Sequence, residues 1–144
     1  MPAHYRIELL TNITIQTSAN IAFLLKQFGE ELSPDYLQKL VDNPLTALFV
    51  ALDINGRIIG MATMITFHKL DKYKALVEDV VVDERHRRLG IGKELMKAII
   101  NKAKELNLDT IHLTSRPERV AANILYQKMG FKKYETNYYK YDLH

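Results

Sequence analysis

The order of elements in this 144-residue chain predicts a mixed fold of the α/β (α+β) class, a mostly antiparallel central sheet flanked by about four helices. Three observations predict it. Asn55-Gly56 joins two apolar runs, a strong signal for a hairpin. The apolar run Leu76 to Val82 leads through a basic loop into the amphipathic segment Ile91 to Leu106, which is a strand followed by a crossover helix. Two short segments that read as a closing hairpin end the chain after a helix stopped by Gly130.

Taken in order, Tyr5 to Thr11 reads as a first strand. Ser18 to Phe28 reads as a helix, with Ile21, Leu24, Leu25 and Phe28 on one face and Gly29 as its stop. Ser33-Pro34-Asp35 starts a second helix, because serine caps well and proline suits the first helical position; Asn43-Pro44 ends it. Leu45 to Leu52 and Arg57 to His68 are the hairpin strands, and Lys69 to Lys74 is a charged loop. The strand Ala75 to Asp83 and the long helix follow. Thr110 to Ser115 is a strand, Arg119 to Met129 a helix, and Phe131 to Tyr134 with Tyr138 to Leu143 a closing hairpin. The order β-α-α-β-β-β-α-β-α-β-β is not the strict alternation of a doubly wound sheet.

Length and composition predict one domain over residues 1–144, with 47% hydrophobic and 26% charged residues. No apolar run approaches a membrane span, and the first residues, Met1-Pro2-Ala3-His4-Tyr5-Arg6, lack the apolar core of a signal peptide. A cytoplasmic protein is expected. With no cysteine there is no disulfide, no thiolate metal site and no covalent acyl-cysteine route. The five histidines are scattered without ligand spacing, so no metal is expected. A net charge of +3 and a pI near 9.0 suit an anionic ligand.

That ligand has an evident seat. Arg87-Arg88-Leu89-Gly90-Ile91-Gly92-Lys93 places two glycines where a helix begins. Glycine there costs about 1 kcal/mol against alanine. The cost is understandable if a ligand must approach the backbone closely. Helix starts present free N–H groups and a positive dipole end, and the arginines add charge, so a phosphate or pyrophosphate fits. The pattern is neither a Walker loop nor a dinucleotide fingerprint, whose third glycine would fall at Leu95. The competing explanation is that Gly90 and Gly92 only let helix and strand pack closely.

The run Val77-Glu78-Asp79-Val80-Val81-Val82-Asp83 through Gly92 resembles the acetyl-CoA-binding motif of the GNAT N-acetyltransferase superfamily, with its Q/R-x-x-G-x-G/A turn. Ala121-Ala122-Asn123-Ile124-Leu125-Tyr126-Gln127-Lys128-Met129-Gly130-Phe131 resembles that family's second signature, a helix carrying tyrosine and ending in Gly-Phe. The resemblance implies that main-chain groups of Val80, Val81 and Val82 bond the pantetheine arm of acetyl-CoA. It implies that N–H groups between Arg88 and Lys93, through Leu89, Gly90, Ile91 and Gly92, hold the pyrophosphate, with Arg87 beside them.

Glu78 is expected to share a strand face with Val80 and Val82, opposite Val77, Asp79 and Val81. Apolar neighbours push a carboxylate pKa upward, toward use as a general base. An alkylammonium near pKa ~10 needs such a base before it attacks a thioester. In similar enzymes a glutamate at this position takes the proton, often through water; the alternative is a carboxylate paired with a basic side chain. Asp79 is the second candidate, since glucosamine-phosphate acetyltransferases have a similar Glu-Asp pair in which both acids approach the substrate. The later strand, Leu113-Thr114-Ser115-Arg116, lacks that group's acidic continuation, so the sugar phosphate is not favoured.

Tyr126 is the expected acid that protonates the departing thiolate; the alternative is a core tyrosine. Asn123 is placed to bond the pantetheine arm. The resemblance usually puts asparagine seven residues before the tyrosine, where this chain has Arg119, which then serves the CoA phosphates. Arg116, Tyr138, Tyr139 and Tyr141 border the acceptor pocket or are ordinary sheet residues.

The expected reaction is direct transfer from acetyl-CoA, as co-substrate, to a primary amine of a small molecule or protein within a ternary complex. The acceptor enters beside the first two helices and the Lys69 to Lys74 loop. No nucleic-acid or membrane partner is expected, and the edge of the last strand would permit a homodimer. The rival readings are a non-catalytic acyl-CoA-binding module and a nucleic-acid binder using Arg85-His86-Arg87-Arg88.

Overall fold

The computed structural model describes residues 4–26 and 32–144, which divide into two compact units, residues 1–113 and residues 114–144. In the first unit, β1 (Tyr5–Leu9), β2 (Thr46–Asp53), β3 (Ile58–His68), β4 (Tyr73–Val82) and β5 (Thr110–His112) form a five-stranded sheet in the order β1-β2-β3-β4-β5. Every pairing is antiparallel except that of β4 with β5, which is parallel. The helices are α1 (Ile15–Leu25), α2 (Pro34–Asp42) and α3 (Ile91–Glu105), with a 3-10 turn at Glu84–His86. Among the described residues no helix is long and apolar enough to cross a membrane.

Local chemistry sets the boundaries. Thr14 Oγ1 accepts from the Thr17 N–H at 3.0 Å, so α1 starts three residues before the expected Ser18. The expected end of that helix, Phe28 with Gly29 as stop, lies outside the described residues. Ser33 caps α2 as its sequence predicts, through Tyr36 N–H to Oγ at 3.1 Å, with Pro34 following. Asp53 Oδ1 accepts from the N–H groups of Asn55 and Arg57, both at 2.9 Å, and Gly56 takes φ +80°, which closes the β2–β3 hairpin. The charged loop is shorter than expected. Lys69 N–H donates to the Lys72 carbonyl at 2.8 Å, and β4 begins at Tyr73.

The two faces of this sheet carry different helices. On one face Leu48, Val50, Ile58, Met61 and Val81 form a buried cluster with Ile21, Leu24 and Leu25 of α1 and Leu37 of α2. On the other, α3 buries Ile91, Leu95, Met96, Ile99 and Ala103. Gly60 permits that second contact: a Cβ there would stand 2.9 Å from Ile91 Cγ2 and 3.4 Å from Leu95 Cδ1.

In the second unit, α4 (Val120–Lys128) ends in a left-handed cap. Gly130 has φ +100°, its N–H donates to Gln127 O at 3.1 Å, and Phe131 N–H donates to Tyr126 O at 3.0 Å. This paired bonding is a Schellman motif, and its usual apolar contact is present as the Tyr126 and Phe131 rings, 5.9 Å apart and edge to face. Residues 131–144 form no strand, which corrects the expected closing hairpin. Tyr138, Tyr139, Tyr141 and Leu143 are exposed, and a two-stranded ribbon with no buried face is marginal in water. The edge on which the homodimer expectation rested is therefore not formed. The strand expected to reach Ser115 stops at His112.

Because Gly60 carries the approach of α3 to the sheet, Gly60→Ala should lower the unfolding free energy by about 1–3 kcal/mol in a urea titration. An unchanged midpoint would mean that α3 is not seated against this strand.

Candidate active site

The extra residue in β4 organises the site. Met61 pairs with Val81 and Thr63 with Glu78, so Asp79 and Val80 together oppose the single residue Ala62. Asp79 supplies the bend with φ +55°, a conformation that aspartate tolerates better than most residues. The bulge overturns the expected face. Glu78, opposite Thr63, shares the α1/α2 side of the sheet with Val81, whereas Val82, opposite Gly60, lies on the α3 side. Val77 and Val81 likewise part company, and Val80 falls within the bulge. A period-two count across residues 77–82 missed this because one inserted residue inverts every later position.

β5 accompanies β4 only from Lys74 to Leu76. Beyond Leu76, the β4 edge turned toward β5 is unpaired by that strand, and the backbone of Val80, Val81 and Val82 lies on this stretch. Such an edge offers ladder positions to an extended ligand.

Glu78 is exposed, yet its pKa is raised. Loss of solvent around the carboxyl contributes most, and the Asp79 carboxylate adds to it. The expectation of a carboxylate lifted by its surroundings therefore holds in direction, although the side chain is not enclosed by valines.

β4 runs out at Asp83, which is 5% exposed and accepts from Arg85 N–H at 3.2 Å and from the Arg85 guanidinium at 3.3 Å. Burial raises its pKa, but the Arg85 bonds and the nearby His86 outweigh burial and hold it below the ordinary value. This knot fixes the 3-10 turn that feeds the glycine loop. Arg88 has φ +66° and Gly90 φ +79°. No side chain caps α3 at Gly90. Tyr5 on β1 anchors the loop by donating from its hydroxyl to the Leu89 carbonyl at 3.2 Å, a role the sequence reading did not assign.

A Cβ on Gly90 would meet only Tyr5 Oη, at 3.7 Å, so the space above the loop is open to a ligand. The explanation by close packing applies to Gly60 and not to Gly90. Among the described residues, Arg87, Arg88 and Lys93 form no salt bridge and remain available to an anion. No group of three metal-ligating side chains occurs among them.

In the second unit Tyr126 is buried, with its pKa raised by burial and drawn partly back by Arg119. The phenol is therefore protonated at neutral pH. Arg119 stands at the N-cap of α4 and faces this hydroxyl, a pairing that sequence reasoning missed. Asn123 donates through Nδ2 to the Arg116 carbonyl at 3.0 Å, which leaves its carbonyl oxygen for a ligand.

Known proteins share this chain's pattern. The description "Acetyltransferase (GNAT) family" matches residues 13–131. An N-alpha-acetyltransferase of Sulfurisphaera tokodaii is 31% identical over 96 residues, covering 60% of this chain and 58% of that protein. N-acetyltransferase 8 of Homo sapiens is 34% identical over 87 residues, covering 59% of this chain and 38% of that protein. The chain thus spans little more than half the length of these relatives, or less. Among solved structures, an aminoglycoside acetyltransferase from an uncultured soil metagenomic sample superposes with a TM-score of 0.85 at 21% identity, over 98% of this chain and 97% of that one. Glucosamine-6-phosphate N-acetyltransferase of Arabidopsis thaliana does so with a TM-score of 0.79 at 19% identity, over 95% and 97%. These structural likenesses establish the fold.

The neighbouring acids make a direct prediction. In an NMR titration, Glu78 should titrate above the ordinary carboxylate range. Asp79→Asn should bring its midpoint down only part of the way, because the larger contribution, desolvation, remains. A midpoint at the ordinary value in the unaltered protein would contradict this.

Proposed function

This chain belongs to the acetyltransferase (GNAT) family, and we propose that it moves an acetyl group from acetyl-CoA directly to a primary amine of a small molecule or protein within a ternary complex. The observation that carries the proposal is the uncapped start of α3, at the end of a strand that combines an unpaired edge with a bulge beside Glu78. Its N-acetyltransferase relatives support the reaction class. We read residues 1–144 as one catalytic domain.

Acetyl-CoA supplies the activated thioester. Gly90, Ile91, Gly92 and Lys93 offer N–H groups and a positive helix end to its pyrophosphate, with Arg87, Arg88 and Leu89 completing the loop. The open space over Gly90 fits that use. Val80, Val81 and Val82 offer main-chain groups to the pantetheine arm, and an N–H of this strand polarises the carbonyl oxygen as negative charge develops on it. Asn123 offers its side-chain oxygen to the same arm.

Glu78 accepts the proton of the acceptor ammonium, directly or through water. Its raised pKa makes it a better base than an ordinary carboxylate. Tyr126 keeps its proton at neutral pH and gives it to the sulfur as the C–S bond breaks. With no cysteine in the chain, no acyl-cysteine forms, and positioning of the two substrates supplies much of the acceleration.

Thiol release with a panel of amines tests this. Double-reciprocal plots should intersect, and Glu78→Gln and Tyr126→Phe should each lower kcat about 100-fold or more. With the acceptor saturating, kcat should fall with acid along a limb above the ordinary carboxylate range, because Glu78 must be ionised to act; Glu78→Gln should abolish that limb. Parallel plots with an isolable acetyl-enzyme would refute direct transfer. CoA binding without thiol release from any amine would leave a binding module instead.

A further inference from the structure

The α1/α2 side of β3, β4 and β5 is graded in chemistry away from the bulge. Strand register places Thr63 beside Glu78, then Ile65 beside Leu76 and His112, then Phe67 beside Lys74 and Thr110. These rows lie on one face because they alternate with Met64 and Val77, which share the α3 side with Gly60. Ile65, Phe67, Leu76 and Lys74 are half-buried, whereas Thr110, His112 and Glu78 are exposed. A carboxylate, an apolar middle row and a cationic row therefore follow one another along a platform.

The cationic end is concentrated. The tight turn after β3 brings Lys69 and Lys72 back against Lys74. The Lys74 pKa is lowered by burial first, then by the ammonium groups of Lys69 and Lys72, with Asp71 the opposing charge. His112, whose Nε2 lies 3.0 Å from Thr110 Oγ1, is lowered by burial and then by Lys74 and Lys69. Among the described residues no salt bridge joins Lys69, Lys72 or Lys74 to a carboxylate. Three lysines gathered around the single carboxylate of Asp71 keep an excess of positive charge that an anion relieves.

We propose that the acceptor is a small linear amine bearing an anionic group, with its nitrogen at Glu78, its skeleton over Leu76 and Ile65, and its acid end on Lys69 and Lys74. The proposal rests on the acetyl-transfer reading above. Glu78 lies four residue steps along the strand from Lys74, about 13 Å between Cα atoms, which sets the span of such a molecule.

The probes are ω-aminooctanoate and its uncharged carboxamide. The carboxylate should show a kcat/KM about tenfold above the amide, falling with added salt. In the double variant Lys69→Gln/Lys74→Gln, the ratio should approach one. Independently of turnover, ω-aminooctanoate should raise the midpoint of the His112 ring titration in NMR, because its carboxylate offsets the lysine charges. Equal kcat/KM for the two probes, with thiol release proceeding, overturns the anionic acceptor and leaves acetyl transfer standing. If no amine releases thiol, acetyl transfer fails, and the His112 titration then decides alone: an unmoved midpoint overturns the site.

Discussion

One additional residue in β4 governs how this protein presents its chemistry. A regular antiparallel ladder between β3 and β4 would put Glu78 and Val82 on the same side of the sheet. Asp79 and Val80 together oppose Ala62, so Glu78 faces the α1/α2 side while Val82 serves the packing of α3. The left-handed backbone of Asp79 costs little for an aspartate and places a second carboxylate beside the first. Backbone geometry and electrostatics thus share one cause: the bend that turns Glu78 toward the α1/α2 side also brings the charge that helps raise its pKa.

The two ends of β4 then do different work. At its C-terminal end, Asp83 gathers Arg85 and His86, and Tyr5 ties down Leu89, so the loop into α3 is fixed at both flanks while its own N–H groups stay uncapped. At its N-terminal end, β5 holds β4 for three residue pairs and then leaves its edge open. The strand is anchored at that end and, beyond Leu76, unpaired by β5. In the second unit the Gly130 cap does comparable work, since its bonds draw Phe131 against Tyr126 and orient the phenol.

Much of this was legible in the residues because the signals are local. Ser33-Pro34 announces a capped helix start, Asn55-Gly56 and Gly130 announce left-handed glycine turns, and all three occur where their chemistry puts them. The glycine turn before α3 was legible for the same reason. The face of Glu78 was not, because nothing in Glu78-Asp79-Val80 distinguishes a bulge from a continuous strand until a partner strand is present to count against. Gly60 was equally silent: its role is defined by Ile91, thirty-one residues away in sequence. The last segments read as a hairpin, but a ribbon without a face to bury does not hold together. Arg119 at the Tyr126 hydroxyl is a contact over two helical turns that no motif encodes.

In the proposed function, the uncapped start of α3 and the free edge of β4 form one continuous seat for CoA. Backbone amide shifts recorded during a CoA titration test it most directly. Saturable, stoichiometric shifts are expected at Gly90 to Lys93 together with Val80 to Val82. Saturable binding that moves other amides and leaves both stretches unchanged would contradict it.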